Sequence, residues 1–248
     1  MTSGAAEPAD CVAANEWICA EYVRTRGPEL AEATVQHVWI TVTSVGIALL
    51  VAFPLALAAR RWRAAAGPVL GLTTVLYTIP SLAMFALLLP VLGLSAAVVV
   101  TGLVLYSLTL LVRNILAGLA GVPGEAREAA RGMGYGPARL LFGVELPLAL
   151  PGILAGVRIA TVSAVSLTTV GAIVGYGGLG NLIYSGMNSL FKPEVLTASA
   201  LCVVLAVGFD VALLALQRLL TPWTPGRPRR PGGLRARLRG RARLGKAA

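Results

Sequence analysis

The chain has 248 residues and a mean hydropathy of +0.78, and 56% of its residues are hydrophobic whereas only 13% are charged. These values exclude an ordinary soluble domain and predict an integral membrane protein with one domain. The net charge of +10 arises from ten basic residues between Arg218 and the C-terminus, which predicts a basic, disordered cytoplasmic tail at residues 220–248 beside anionic lipid and argues against nucleic-acid binding.

Residues 1–36 form a polar segment with six acidic residues and two arginines. This segment lacks the basic start and the short apolar core of a cleavable signal peptide, so we expect it to remain as an extracytoplasmic segment. Cys11 and Cys19 can pair if the segment lies outside the cytoplasm, and free thiols are the alternative. His37, the only histidine, follows at a membrane boundary, where we expect a hydrogen-bonding interfacial residue rather than a ligand.

Five apolar segments are long enough to cross about 30 Å of hydrocarbon. They cover residues 38–59, 68–94, 96–119, 148–174 and 195–216. Arg60, Arg61 and Arg63 directly follow the first segment, so the positive-inside rule places that end in the cytoplasm and the N-terminus outside. The sequence therefore predicts an all-α integral membrane fold with five transmembrane helices, an outer N-terminus and a cytoplasmic C-terminus.

The second apolar segment would be about 40 Å long as a straight helix, which is more than one perpendicular crossing needs. Tyr77, Thr78, Pro80 and Ser81 interrupt it, and a proline at that depth leaves backbone groups that need other partners. The segment is either one tilted or kinked helix or a span with a short broken piece. The four residues form either an ordinary packed kink or a wall of a pathway across the membrane.

The loop at residues 121–147 is the long charged interval between the apolar segments. Its first half is predicted to form a short surface helix, and Gly134 can take the left-handed conformation that ends such a helix. Pro137 is predicted to open a second helix, which Pro147 and Pro151 end or kink.

Three parts of this loop follow a fixed spacing: Glu128-Ala129-Ala130, then Gly134 after three residues, then Val144-Glu145-Leu146-Pro147 after nine more. The spacing E-A-A-x3-G-x9-I-x-L-P, with valine in the isoleucine place, resembles the EAA loop of bacterial ABC-importer permeases. In that family the loop is cytoplasmic and docks a short coupling helix into the ATPase subunit. The alternative is an amphipathic loop that only covers the membrane surface. The resemblance implies that the ATPase-coupling residues are Glu128, Ala129, Ala130, Gly134, Val144, Leu146 and Pro147.

Five further runs of the chain resemble a known branch of these permeases, and they lie at residues 21–57, 78–83, 106–108, 113–114 and 177–180. The branch they resemble is the osmoprotectant branch, which imports glycine betaine, choline, carnitine, proline betaine and similar solutes. The resemblance implies a type I ABC-importer permease-like fold over residues 37–219. It also implies ABC ATPase subunits, an extracytoplasmic solute-binding protein and a second permease subunit, identical or a sister chain, as partners. Permeases for methionine, other amines or sulfonates are the alternative within the family.

A glycine-rich segment follows the fourth apolar segment and includes Gly175, Gly177, Gly178 and Gly180. Glycine allows backbone conformations that are closed to other residues. We predict that this segment folds back toward the dimer axis at the outer face and helps to close the pathway externally. A plain flexible loop is the alternative.

Arg113, Arg158 and Asp210 all fall in the inner half of the predicted spans. An unpaired ion inside a membrane is costly and usually finds a partner or water. We therefore predict that Asp210, the only acidic residue in the spans, neutralises Arg113, Arg158 or both. The alternative is that each arginine snorkels to lipid headgroups while Asp210 faces a wet cavity.

The sequence has no G-x-x-x-x-G-K-[ST] loop, one histidine and three scattered cysteines. We therefore expect a non-enzymatic transport subunit of the bacterial plasma membrane with no metal or cofactor, whose partner subunit binds the ATP. A membrane-embedded enzyme is a weak rival, and a secondary transporter is a stronger one, although such proteins usually show two related halves. Only 6% of the residues are aromatic, so we place primary recognition of a quaternary ammonium group in the binding protein.

Overall fold

The computed structural model describes residues 11–223, and every regular element in that range is helical. Residues 1–10 and most of the predicted basic tail lie outside the described residues. A π-helical turn, Leu141–Glu145, and a 3-10 turn, Gly171–Val174, lie among the α-helices. The α-helices are α1 (Ala20–Thr25), α2 (Gly27–Arg61), α3 (Arg63–Thr78), α4 (Ser81–Leu92), α5 (Ala96–Ala120), α6 (Gly124–Gly132), α7 (Pro137–Leu140), α8 (Leu146–Val170), α9 (Leu179–Asn188) and α10 (Lys192–Leu220).

Four helical stretches of the described chain are long and apolar enough to cross a membrane: α2, α5, the stretch from α7 to the 3-10 turn, and α10. A fifth crossing exists only if α3 and α4 are counted together, because they meet at an angle of 100°. Pro80 causes this break, since a proline disfavours helical geometry in the residue before it, and Ile79 is extended with ψ 128°. The second apolar segment thus consists of two helices with a sharp break between them and is not one tilted helix.

The centre of the molecule is the packing of α2, α5 and α8. Ala48, Ala52 and Ala56 recur every fourth residue along α2 and are fully buried. A Cβ atom at Gly152 on α8 would lie 3.1 Å from the Cα of Gly118 on α5. Small residues let membrane helices approach closely, which is a main source of their association in lipid. By contrast, none of the most apolar window of α10 is buried, so this helix packs on the outside of the core.

The N-terminal part of the described chain is fixed to the turn between α9 and α10. Cys11 and Cys19 form a disulfide, which is one of the two states expected from the sequence. The side chain of Asn15 donates to a carbonyl and accepts from a backbone N–H of the α9–α10 turn, both at 2.9 Å. Tyr22 packs edge-on against Phe191, and burial, with nearby glutamates, raises the pKa of Tyr22 to about 12.

Candidate functional site

The EAA-like loop begins with α6, which ends in a left-handed glycine as predicted: Gly134 has φ +81°. The Gly134 N–H donates to the carbonyl of Arg131 at 2.9 Å, and the Tyr135 N–H donates to the carbonyl of Ala130 at 3.1 Å. These two bonds form a Schellman cap, which satisfies carbonyl groups that the end of a helix would leave free. The cap fixes where α6 stops and the chain turns back toward the membrane.

The predicted coupling residues fall on two surfaces. Glu128 and Ala129 are exposed, whereas Ala130 is only 1% exposed and anchors α6 to the rest of the subunit. The π-helical turn, which contains Val144, packs against α6, and Leu146 and Pro147 follow it half-buried. The spacing motif therefore describes an exposed face of α6 and the packed residues beneath it.

One buried acid organises the loop. Glu145 is 3% exposed, and its Oε1 accepts from Arg60 Nη2 at 2.5 Å and from Arg127 Nε at 2.8 Å. Arg127 Nη2 also donates to the Leu119 carbonyl at 2.5 Å. One end each of α2 and α5, the helix α6 and the start of α8 are therefore joined through Glu145 and its two arginines. We call Glu145, Arg60 and Arg127 the arginine–glutamate cluster.

The sequence analysis missed all three members of this cluster as site residues. The family spacing leaves the Glu145 position free, and Arg60 entered the argument only as a marker of topology. A usable signal was present, because Glu145 stands alone among apolar residues at the edge of a membrane segment. An acid in such a place is buried only when it is paired.

Of the two effects expected of Pro147 and Pro151, an end or a kink, the structure excludes the first, because these prolines do not end the helix that Pro137 opens. The chain stays helical from Pro137 to Val174. A proline ring clashes with the carbonyl four residues before it, and the π-helical turn directly before Pro147 adds one residue to that turn and relieves the clash. This distortion also places Glu145 at the inner side of the loop.

The α3–α4 break has one packed side and one open side. The Tyr106 hydroxyl on α5 donates to the carbonyl of the residue before Pro80, which satisfies a backbone group that the break frees. Tyr77 also contacts Tyr106 edge-on, with ring centroids 6.0 Å apart. On the other side, Tyr77, Thr78 and Pro80 are exposed and Ser81 is partly exposed. The structure therefore combines a packed kink with an open polar surface.

Arg113 belongs to this open surface and is not a partner of Asp210. Its Nη2 donates to the Thr74 hydroxyl at 2.9 Å, beside a groove of about 450 Å³ between α3 and α5. The expectation that Arg113 joins the intramembrane ion pair is corrected, because α5 directs this side chain toward α3 whereas α10 packs against α8. Arg113 and Asp210 have similar predicted depths in the membrane, but they lie on helix faces that contact different neighbouring helices.

Arg158 and Asp210 form a bidentate pair between α8 and α10. Arg158 Nε and Nη2 donate to Asp210 Oδ1 at 2.9 and 2.7 Å, and Nη2 also reaches Oδ2 at 2.8 Å. Their side chains are 25% and 39% exposed, so the pair lies at the edge of the subunit. Gln217 reinforces the same contact by donating to the Pro151 carbonyl at 3.2 Å.

The glycine-rich segment is a packed corner that joins α8 to α9. Gly177, Gly178 and Gly180 are buried, whereas Gly175 is exposed and has φ +79°. A Cβ atom at Gly180 would lie 2.4 Å from the Thr169 carbonyl oxygen. The Gly177 N–H donates to the side chain of Asn181, which closes the turn.

His37 lies directly beneath this corner and is fully buried within the subunit. It is a hydrogen-bonding residue, as expected from the sequence. Its Nε2 donates to the Val165 carbonyl at 3.1 Å and links α2 to α8. A Cβ atom at Gly178 would lie 2.7 Å from the His37 Cα, so the corner closes over the histidine only because residue 178 is a glycine. Across residues 11–223, no group of three or more histidine, cysteine or acidic residues is placed to hold a metal ion.

Helical spans around a capped surface helix with this spacing define the membrane subunit of an importer. The fold agrees with this class. The chain superposes on an inward-facing MetNI methionine ABC transporter with a TM-score of 0.71 at 19% identity, covering 82% of this chain and 100% of that one. An amino acid ABC transporter with histidines gives a TM-score of 0.69 at 18% identity, covering 81% and 98%. At these identities the similarity concerns the fold alone.

Residues 44–224 match the family described as binding-protein-dependent transport system inner membrane component, and the chain belongs to that family. It is 36% identical to the choline transport system permease protein OpuBB of Bacillus subtilis, over 82% of this chain and 93% of the relative. It is 35% identical to the glycine betaine/carnitine/choline permease OpuCB of the same organism, over 81% and 93%, and 36% identical to the osmoprotectant import permease OsmW of Salmonella typhimurium, over 81% and 96%. The protein is thus a permease subunit of an ABC importer in the bacterial plasma membrane.

Proposed function

We propose that this permease carries osmoprotectants such as glycine betaine, choline or carnitine into the cell. The observation that supports this most is the identity of 35–36%, over about four-fifths of the chain, to permeases whose names specify these solutes. The similarity to a methionine transporter is a similarity of fold, so a methionine or other amine or sulfonate importer is the second candidate. In both cases the solute-binding protein makes the primary selection.

Uptake by cells that carry the complete importer tests this proposal. Labelled glycine betaine, choline, carnitine and methionine are supplied separately, and cells without the permease gene give the background. We expect uptake of at least one quaternary ammonium solute and none of methionine. Uptake of methionine alone would assign the chain to the second candidate, and uptake that persists without the ATPase gene would indicate a secondary transporter.

The coupling mechanism rests on the exposed face of α6. The partner ATPase binds and hydrolyses ATP, and its movement acts on Glu128 and Ala129, which lie at the surface, while Gly134 sets the end of the helix. The arginine–glutamate cluster joins α6 to the ends of α2, α5 and α8. A displacement of α6 is therefore passed to three spans together rather than absorbed by a loose loop.

Cross-linking of single cysteines tests this docking face. Ala129→Cys, labelled with a short thiol-reactive photo-crosslinker, is expected to form a covalent adduct with the ATPase subunit in the assembled importer. Ala138→Cys is the matched control, because Ala138 is also an exposed alanine of the loop but lies past the capped end of α6. Equal cross-linking at both positions, or none at Ala129, would contradict the proposed docking face.

The pathway is proposed to run along the interface of two permease subunits, lined by the open side of the α3–α4 break. Tyr77, Thr78 and Ser81 supply hydroxyl groups there, next to the exposed ring of Pro80. Arg113 is an exposed cation inside a span. A cation at that depth needs water or a partner rather than lipid, which favours a pathway or a subunit interface.

The proposed topology has five crossings, with the N-terminus outside and the C-terminus in the cytoplasm. Counting α3 and α4 as one broken span gives this number. The disulfide between Cys11 and Cys19 supports an outer N-terminal segment, because disulfides persist outside the cytoplasm. The arginines that end α2 support a cytoplasmic position for that end.

We further propose that the packed corner at Gly175, Gly177, Gly178 and Gly180 closes the pathway externally as a rigid element. Its tight contacts with α2 and α8 support a rigid closure. Single cysteines at the non-glycine positions of residues 176–183 provide the test, because a side chain at Gly177, Gly178 or Gly180 would clash with backbone atoms. Labelling that changes with nucleotide state supports the closure, whereas uniform labelling in all states contradicts it.

A further inference from the structure

A groove of about 770 Å³ opens at the end of α2, between that helix and the helical segment that starts at Pro137. One wall of the groove is apolar and includes Pro54 and Phe142, whereas Arg61 and Arg131 line its charged end. Arg61 lies seven helical steps after Pro54 on α2, so the groove extends about 10 Å from the apolar part of a span to its charged end.

The charged end of this groove carries positive charge that is not neutralised within the described chain. Glu145 is the one carboxylate among the lining residues, and it is already bound to Arg60 and Arg127. Arg61 and Arg131 are exposed, and neither forms an ion pair with any residue of 11–223. Two free guanidinium groups at one end of a groove suit a phosphate, which accepts paired hydrogen bonds from arginine.

Aromatic residues show the level at which the groove lies. Trp62 lines it and is 61% exposed, and Phe142 is 60% exposed. Tryptophan concentrates at the membrane–water boundary, where its ring contacts both headgroups and hydrocarbon. With the arginines that end α2, this places the groove at the headgroup level of the cytoplasmic leaflet, with its apolar wall facing the acyl chains.

We propose that this groove binds one anionic phospholipid, with its phosphate on Arg61 and Arg131 and an acyl chain along Pro54 and Phe142. A basic pocket between membrane helices on the cytoplasmic side suits an acidic headgroup. A free phosphate ion would leave the apolar wall without a function, and the depth of that wall favours lipid over a segment of a soluble partner. Because Glu145 also lines the groove, the lipid packs against the arginine–glutamate cluster and stabilises the loop that carries α6.

Photo-crosslinking in the assembled importer tests this site. p-Benzoylphenylalanine replaces Phe142, the complex is reconstituted in vesicles of equal parts phosphatidylglycerol and phosphatidylcholine, and the adducts are identified by mass spectrometry. We expect phosphatidylglycerol adducts to exceed phosphatidylcholine adducts by about tenfold. The double variant Arg61→Gln, Arg131→Gln should bring this ratio close to one.

Arg139→Gln is the matched control for the double variant. Arg139 is another exposed arginine of the same loop, but it lies over the Tyr135 ring and does not line the groove. We expect Arg139→Gln to leave the lipid ratio unchanged. An equal loss of selectivity in this control would show that only the overall charge of the loop matters and would overturn the site.

The remaining outcomes separate other occupants of the groove. A ratio near one in the unmodified importer would overturn the proposal in favour of ordinary boundary lipid, and an adduct with the ATPase or with a second permease chain would overturn it in favour of a protein contact. Inorganic phosphate added at constant ionic strength should not change the ratio, and a loss of lipid selectivity would assign the arginines to free phosphate. The same probe at Trp62 replaces the Phe142 probe if that variant does not assemble. No readout depends on the transported solute, so the result is independent of the proposed function.

Discussion

Two glycines with positive φ mark opposite ends of the α5–α8 core, and they are glycines for different reasons. Gly134 caps α6 with φ +81°, and a Cβ atom there would meet nothing within 4 Å. Gly178 lies in the packed corner with φ +56°, and a Cβ atom there would lie 2.7 Å from the His37 main chain. Position 134 requires only a left-handed backbone conformation. Position 178 requires that conformation and also the absence of a side chain.

The difference extends to the surroundings of each glycine. The loop around Gly134 is held by charge, through Glu145 and its two arginines, and keeps one face of α6 exposed. The corner around Gly178 is held by close packing of backbone on backbone, and Gly177 and Gly180 are as confined as Gly178. This difference agrees with the proposed roles, because a loop that docks the ATPase needs a free surface, whereas a corner that closes a pathway needs tight packing.

Gly178→Ala is expected to have the largest effect on stability. The added methyl group combines an overpacked contact with a left-handed backbone, and together these cost about 4 kcal/mol. The melting temperature and the membrane yield of the assembled importer measure this. Gly175→Ala is the matched control, because its φ is +79° but its Cβ would meet nothing within 4 Å. Equal losses in both variants would show that space at Gly178 does not matter.

Glu145→Gln is expected to have the second-largest effect and to lower the free energy of unfolding by about 3 kcal/mol. The amide removes the charge that neutralises Arg60 and Arg127, and it leaves those guanidinium groups at the membrane edge without their buried partner. Glu125→Gln is the control, because Glu125 lies exposed on α6 and is not one of the predicted coupling residues, so its stability effect should be close to zero. If Glu145→Gln melts at the temperature of the unmodified importer, charge does not hold these helix ends together.

The features of these two regions that the sequence could predict are those set by residues close together in the chain. The helical spans and the left-handed stop at Gly134 depend on nearby composition and backbone preference, and both were predicted. The confinement of Gly178 was not predictable, because it depends on His37, which is far away in the sequence and meets it only after α2, α8 and α9 pack.

The sequence could narrow the partner of Asp210 only to Arg113, Arg158 or both, and the structure shows that the partner is Arg158. Arg113 and Arg158 lie at similar depths, but depth along a helix does not say which neighbour a helix face meets. The arginine–glutamate cluster likewise combines residues from three separated parts of the chain. The effect of prolines depended on context too, since the π-helical turn lets the helix continue past Pro147.

Asp210→Asn tests whether burial, and not charge alone, determines how strongly an ion pair stabilises the subunit. We expect this variant to lower the free energy of unfolding by about 2 kcal/mol. This is smaller than for Glu145, because the Asp210 side chain is 39% exposed and Arg158 can move toward the headgroups. Arg113→Gln serves as the control in the same melting measurement, since Arg113 is exposed and held by one threonine hydroxyl. A loss for Asp210→Asn that equals or exceeds the loss for Glu145→Gln would contradict the ranking by burial.

The smallest effect on stability is expected at Gly134, where a substitution is expected to change function more than stability. Gly134→Ala meets no steric contact, so only the left-handed backbone is penalised, at about 1 kcal/mol. Gly134→Val should still insert into the membrane, but it should abolish solute-stimulated ATP hydrolysis, because a β-branched residue cannot hold the cap that sets the end of α6. Gly134→Asn is the control, since asparagine adopts the left-handed conformation more readily and should retain most of the stimulation. Normal stimulation in Gly134→Val would show that the capped end of α6 is not part of the ATPase contact, whatever holds the rest of the loop in place.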